Sequence, residues 1–415
     1  MVFNKSARNR RRLAPCPLEI QSLEHRRLLA ADIVSPEPDA PLVIMPTSAP
    51  VDGGTVAVTT SRGGDLILIG DGKPNTVNFR IQGTTLLLDG GDATSFRLPG
   101  QAPQSALELP LPATIRSITI SLSSGNDQLN IQVFSDVTVN RDLSVNLGTG
   151  DDSLTLQVVN ADLRVNQNLT VDLSAGDDGV DVFTADAASI LVGRDMNMRA
   201  GNGNDDILVG DDDFVDIDTL YEIESFTGLE DNSEIPLNQR IRAGRDVNIN
   251  LGAGNDALTL LNTESGRDLS IAAASGTDVL VASNLRSARN AAISEAESTA
   301  LQNLTVVGNL NIGGSFLADK FSLDRLTANR LEIDLGSGSD ELSLGESVSV
   351  NRPSIVRGGG GTNAMYSGKA QPLISFRRIT PSLTSEQSLE LLIGVLEVRP
   401  GESGGITPFQ AIMAE

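Results

Sequence analysis

Residues 142–156 read DLSVNLGTGDDSLTL. Leu143, Val145 and Leu147 alternate with polar residues, Gly148-Thr149-Gly150-Asp151-Asp152 intervenes, and Leu154 and Leu156 resume the alternation. A period of two on both sides of a glycine-rich break predicts strand, tight corner, strand. Glycines suit such a corner because they adopt positive φ without steric cost, and an aspartate side chain can hydrogen-bond the amides of its own turn.

The same frame recurs. It reads SITISLSSGNDQLNI from Ser117, NLTVDLSAGDDGVDV from Asn168, DMNMRAGNGNDDILV from Asp195, DVNINLGAGNDALTL from Asp246, DLSIAAASGTDVLVA from Asp268 and RLEIDLGSGSDELSL from Arg330. The closing aspartates are Asp127, Asp152, Asp178, Asp205, Asp256, Asp278 and Asp340, separated by 25, 26, 27, 51, 22 and 62 residues. The gap of 51 suggests a degenerate copy near Gly228 and Asp231, and that of 62 suggests one from Gly313-Gly314 to Asp319. Gly359-Gly360-Gly361-Thr362-Asn363 reads as a last corner with asparagine for aspartate.

A unit of about 25 residues cannot bury its own apolar face, but it suits one three-sided coil stacked about 4.8 Å from the next. The expectation is all-β: a right-handed parallel β-helix of about ten coils. A second corner recurs about ten residues before the first, at Asn140-Arg141-Asp142, Gly193-Arg194-Asp195, Gly244-Arg245-Asp246 and Gly266-Arg267-Asp268. Two corners in fixed register support a closed coil. The repeats are expected over residues 111–365, preceded by less regular β layers over 59–110 and a proline-rich linker over 33–58. A C-terminal cap over 366–415 is expected to hold a short helix within SEQSLELLIGVLEV, which covers the open end of the stack.

Only 3% of residues are aromatic and none is tryptophan, so the core must be aliphatic. The formal charge of −23 repels nucleic acid and anionic membranes and concentrates cations. One cysteine, Cys16, and one histidine, His25, exclude internal disulfides, cysteine zinc clusters and most histidine-dependent catalysis. No run of about 18 apolar residues exists, so no transmembrane helix is expected.

Residues 1–32 form a basic arm, net +4 from seven basic and three acidic side chains, without the apolar stretch of an ordinary secretory signal. The lack of that stretch also weighs against Arg10-Arg11-Arg12 as a twin-arginine signal, and Pro15 sits where a lipoprotein box at Cys16 wants a small residue. Leu23-Glu24-His25-Arg26-Arg27-Leu28-Leu29-Ala30 resembles the short N-terminal sorting motif of many large secreted planctomycete surface proteins. That resemblance implies export and removal of this segment, hence a secreted or cell-surface protein.

Gly-x-Gly-x-Asp followed by alternating apolar residues resembles the haemolysin-type calcium-binding nonapeptide, and the resemblance implies Ca²⁺ at the turns. That family repeats every nine residues in tandem, whereas here the motif occurs once per coil, so paired-turn ligand geometry does not transfer. Stacking independently sets the closing carboxylates about 4.8 Å apart, where repulsion is about 0.9 kcal/mol per neighbour in water and about 3.5 at an effective dielectric near 20. Two readings of the corner follow: plain structural turns with carboxylates splayed into solvent, or carboxylates bridged by Ca²⁺. The candidate metal set is Asp127, Asp151, Asp152, Asp177, Asp178, Asp205, Asp206, Asp256, Asp278 and Asp340. The cluster Asp211-Asp212-Asp213 with Asp216 and Asp218 lacks EF-hand spacing and reads as a solvated acidic insertion.

No carboxylate pair stands apart from the repeat, aromatic platforms for sugars are scarce, and Lys73 and Lys320 are the only lysines in the stacked region. The functional expectation is a non-enzymatic structural or adhesive protein of a surface or matrix, its partner a surface component such as a polysaccharide. The alternative is an extracellular polysaccharide lyase or hydrolase built on the same helix.

Overall fold

The computed structural model describes residues 53–111, 115–211, 241–345, 347–361, 363–367 and 407–409. Within them the chain winds as a parallel β-helix whose sheet wraps about 350° round an axis. Each coil has three faces. The first holds the strand before the Gly-x-Gly-x-Asp corner. Its stack runs from Asp65–Ile69 through Ser117–Ser121, Leu143–Asn146 and Leu169–Asp172 to Ile355–Arg357, all in parallel register. The second face holds the strand after that corner, from Thr76–Gln82 through Gln128–Val133 and Ser153–Val159 to Ala364–Ser367. The third runs from Val137–Val139 through Asp162–Val165 and Ser189–Val192 to Ser349–Val350.

Alternation places one side chain in two inside the coil, and parallel register stacks like on like. Ile118, Leu143, Leu169, Met196, Val247 and Leu269 therefore form one buried column on the first face, each no more than 3% exposed. Each such side chain contributes about 1.5–3 kcal/mol by leaving water. No single coil encloses a core, so the coils are stable only as neighbours.

Two expectations about the repeat change. Register passes directly from Asp206–Val209 to Ala257–Leu260 and from Ile190–Val192 to Ile241–Ala243. No coil lies between, so the copy expected at Gly228 and Asp231 does not exist; those residues lie outside the described set, within the connection from Asp211 to Ile241 inside one coil. Conversely the 62-residue gap holds two corners, at Glu297 and Asp319. The sequence conceals Glu297 because its corner, Ser294-Glu295-Ala296, carries no glycine.

The coil also has a third corner that the periodicity did not reveal, between the second and third faces. It is a single residue of positive φ: Asn160 (49°), Asp186 (59°), Asn262 (50°), Asn284 (54°) and Asn303 (60°). Asparagine and aspartate tolerate that region best after glycine. Here too lies the reason the repeat shortens towards the C-terminus. Second-face strands are seven residues long at Ser153–Val159 and Gly179–Ala185 but five at Ala257–Leu261, where the corner arrives earlier.

The N-terminal layers are strands as expected, but they mix antiparallel pairs with the parallel ones. Gly54–Thr60 runs against Asp65–Ile69, and Thr85–Asp89, reversed at Gly83, runs against Thr76–Gln82. They occupy the outer edges of the first coil and leave no open parallel edge on those two faces. The strand at Gly54 begins inside the expected 33–58 linker, because Val56 and Val58 are buried and Val56 lies in register with the buried Phe96 of the neighbouring strand. The N-terminal arm and the expected cap helix lie outside the described residues. Thr407–Phe409 pairs antiparallel with Met365–Ser367 at the other end.

Candidate functional site

The Gly-x-Gly-x-Asp corners stack into one continuous edge. The second glycine recurs at Gly125, Gly150, Gly176, Gly203, Gly254, Gly276, Gly338 and Gly361, while the corners at Glu297 and Asp319 carry Glu295 and Leu317 in its place. Its positive φ is one reason, and proximity is the other. A Cβ on Gly150 would lie 2.0 Å from the carbonyl oxygen of Gly125 in the coil below, and one on Gly254 would lie 1.6 Å from that of Gly203. The first glycine is less strict: Ser123, Ser174 and Ala274 replace it at positive φ.

The closing aspartates turn inwards. Asp127, Asp152, Asp178, Asp205, Asp256, Asp278 and Asp340 are each 0–3% exposed. Each accepts a hydrogen bond from the backbone N–H of the equivalent residue one coil earlier, Asp340 from Asp319 (3.1 Å), whereas Asp319 itself accepts from Ser315. The chain of bonds runs from Asn75 to Asp127 (2.6 Å), Asp127 to Asp152 (2.7 Å), Asp152 to Asp178 (2.7 Å), Asp178 to Asp205 (2.9 Å), Asp205 to Asp256 (2.8 Å) and Asp256 to Asp278 (2.8 Å). Glu297 then accepts from Asp278 (2.7 Å), and Asn363 accepts from Asp340 (3.0 Å). Glu297 stands where the corner is short, and its extra methylene restores the reach.

The ladder is a solution to carboxylate repulsion that the sequence reading did not contain. One oxygen of each carboxyl satisfies a buried amide. The other, Oδ2, is buried and has no hydrogen-bond partner in Asp127, Asp152, Asp178, Asp256, Asp278 and Asp340. Desolvation disfavours the anion most strongly, the accepted amide bond partly offsets it, and neighbouring acids reinforce it at Asp127, Asp178 and others. Asp127, Asp152, Asp256 and Asp278 are pushed up to about 6 and Asp178 to about 7. Burial likewise raises Asp319 and Asp340.

The remaining candidates sit elsewhere. Asp151 and Asp177 belong to a separate, exposed column beside the buried one, in which the side-chain oxygen of each coil accepts the next coil's amide. Its bonds run from Asp151 to Asn126 (3.2 Å), Asp177 to Asp151 (3.1 Å), Asn204 to Asp177 (2.8 Å) and Thr277 to Asn255 (2.9 Å). Asp206 is in neither column. It opens a second-face strand one level from Asp181, which is exposed on that face. Among the described residues no group of three or more His, Cys, Asp or Glu is arranged to hold a metal ion.

The second corner is a ladder too. Amide-to-carbonyl bonds of 2.7–2.9 Å stack Arg116, Arg141, Gln167, Arg194, Arg245, Arg267 and Arg289 in consecutive coils. Arg116, Arg267 and Arg289 each grip an aspartate one coil below through the Nε and Nη2 donors of one guanidinium edge, with Nε at 2.6–2.7 Å from Asp65, Asp246 and Asp268 respectively. Those arginines hold all three carboxyls below the usual carboxylate range. The register between coils decides which of these arginines meets an aspartate.

The chain matches no family model, no curated protein and no solved structure.

Proposed function

We propose that the protein is a secreted, non-enzymatic β-helical scaffold of a cell surface or extracellular matrix. The observation that carries this reading is the regularity of the corners: coil after coil, one carboxyl oxygen of the closing aspartate is committed to the amide of its neighbour. A catalytic constellation needs groups held apart for a substrate. Export rests on the resemblance of Leu23–Ala30 to a sorting motif. The test is incubation of the full chain with acidic and neutral polysaccharides; release of new chain ends would overturn the scaffold reading. The enzymatic alternative has one observation in its favour, the placement of Asp181 and Asp206 on adjoining second-face strands, two carboxylates on one outer face. On that alternative Asp181→Asn abolishes the release.

Calcium belongs to the same proposal as a stabiliser of the corners. What supports it is one unpartnered buried Oδ2 in each of several coils. A hard cation taking six to eight oxygens must draw the others from corner carbonyls and water, and protons compete for the same atoms. Ca²⁺ should therefore raise the melting temperature at pH 8, where the column is ionised, and do so far less at pH 5. Occupancy at a hundred times Kd is worth about 2.7 kcal/mol. Identical melts at pH 8 in Ca²⁺ and in chelator would remove calcium from the proposal and leave the scaffold intact.

A further inference from the structure

The arginine edge is interrupted in one place, and the interruption is open. Along the ladder each arginine finds its aspartate one coil below, at the residue that follows the corner. Below Arg141 that position is Ser117, and below Arg194 it is Asn168. Among the described residues neither Arg141 nor Arg194 has a carboxylate at ion-pair distance, whereas Arg116, Arg245, Arg267 and Arg289 all do. Both free arginines are exposed. Between them lies Gln167, so they stand two coils apart, about 10 Å. Asp142, the acid nearest that gap, is occupied by the backbone and side-chain amides of Asn168 (3.1 and 2.9 Å).

The flanks are polar and low. Asn140 and Asn166 are exposed, stack with a hydrogen bond of 3.2 Å, and are followed in the column by Gly193, which leaves Arg194 uncovered. On the adjoining third face, register places Arg164, Arg242 and Arg286 pointing outwards. Those three are already paired, Arg164 with Asp162 (2.6 Å) and Arg242 and Arg286 with Glu264 (3.0 and 3.7 Å), which leaves Arg141 and Arg194 as the open positions of the edge.

We infer that this edge binds a linear acidic polysaccharide laid along the helix axis, with its carboxylates on Arg141 and Arg194. A guanidinium recognises a carboxylate through two parallel bonds, and neither arginine has to surrender an internal partner first. An extended chain of 1,4-linked uronic acids advances about one coil spacing per sugar. In its twofold form it returns a carboxylate to the same side every second sugar, matching the Arg141 to Arg194 interval. Asn140, Asn166 and Gln167 face the hydroxyls between. A nucleic acid fits less well, because its denser charge meets the acidic remainder of the rod and finds no aromatic side chains to stack on.

The inference rests on the scaffold reading and deepens it. The test is binding of the full chain to polygalacturonate at low ionic strength, with polymer length measured after recovery. The pair Arg141→Glu and Arg194→Glu should weaken binding about tenfold or more. The pair Arg199→Glu and Lys320→Glu, with the same change in net charge away from this edge, should stay within about twofold. If the glutamate pair fails to fold, Arg141→Gln with Arg194→Gln, which copies Gln167, reads the same loss. Equal losses in both pairs, absence of wild-type binding, or tighter binding of single-stranded DNA than of polygalacturonate would each overturn the inference. A shortened polymer would instead overturn the scaffold reading beneath it.

Discussion

Replacing Asp178 by asparagine should make the protein more stable at pH 8 and leave it nearly unchanged at pH 5. Asp178 is fully buried, accepts the Asp152 amide through Oδ1 and carries an unpartnered Oδ2. Desolvation, then the Asp205, Asp152 and Asp151 charges, push its carboxyl from an ordinary 3.8 up to about 7. Between those two values the folded chain holds a proton that the unfolded chain has released. The unfolded state then binds fewer protons, and stability falls as pH rises. The contribution is complete below the unfolded value and is lost as pH passes through about 7. At 1.36 kcal/mol per unit, two units from pH 5 to pH 7 give about 2.7 kcal/mol as an upper bound. Asparagine keeps the acceptor and removes the charge. Asn363 already does this within the same ladder, its Nδ2 donating to the carbonyl of Gly358. Urea unfolding of wild type and Asp178→Asn at pH 5, 6, 7 and 8 measures the gap, which should widen by about 1–2.7 kcal/mol in favour of the variant. A gap that stays constant across that range, or a variant less stable at pH 8, would refute the account of a proton-loaded ladder.

Gly254→Ala should cost more than about 3 kcal/mol or prevent folding, since its Cβ meets the Gly203 carbonyl at 1.6 Å, whereas Gly179→Ala, with open space around it, should change stability by less than about 0.5 kcal/mol; thermal melts compare the two. Glu297→Asp should cost about 1–3 kcal/mol, because the shorter side chain withdraws the acceptor from the buried Asp278 amide. Hydrogen exchange at that amide should accelerate in the variant while distant coils stay protected, and unchanged protection there would show that another group holds it.

The coil was legible where one motif carried two demands at once. The second glycine answers both positive φ and the carbonyl beneath, so it recurs at most corners, and the repeat could be counted from it. The corner at Glu297 meets neither demand with glycine and was invisible. The third corner was missed because one asparagine in a left-handed conformation leaves no pattern in a window, and the strand before it changes length. The aspartates were found but their direction was not. Period-two reasoning assigns inside and outside to strand residues, whereas a corner residue turns towards whatever amide lacks a partner. Asp151 and Asp152 are adjacent in sequence, yet one is exposed and the other buried. The Arg-Asp corner was visible as a turn, but which arginines lack an aspartate depends on the register between coils.

The buried ladder opens and closes on asparagine, Asn75 at one extremity and Asn363 at the other. A row of like groups in which each leans on the next has an end-group problem, as any one-dimensional lattice does. The first member has no earlier amide to receive, and its Oδ1 is unsatisfied. The last has no later acid to share a proton with. An anion stranded at either site would be the least compensated charge in the column, and a neutral amide ends the row without one. Lengthening the protein by copying an interior coil should therefore succeed between these two residues, where every new member has neighbours on both sides. A duplication that moved a carboxyl into a terminal position would place the weakest link at the boundary, where unravelling of a stack begins.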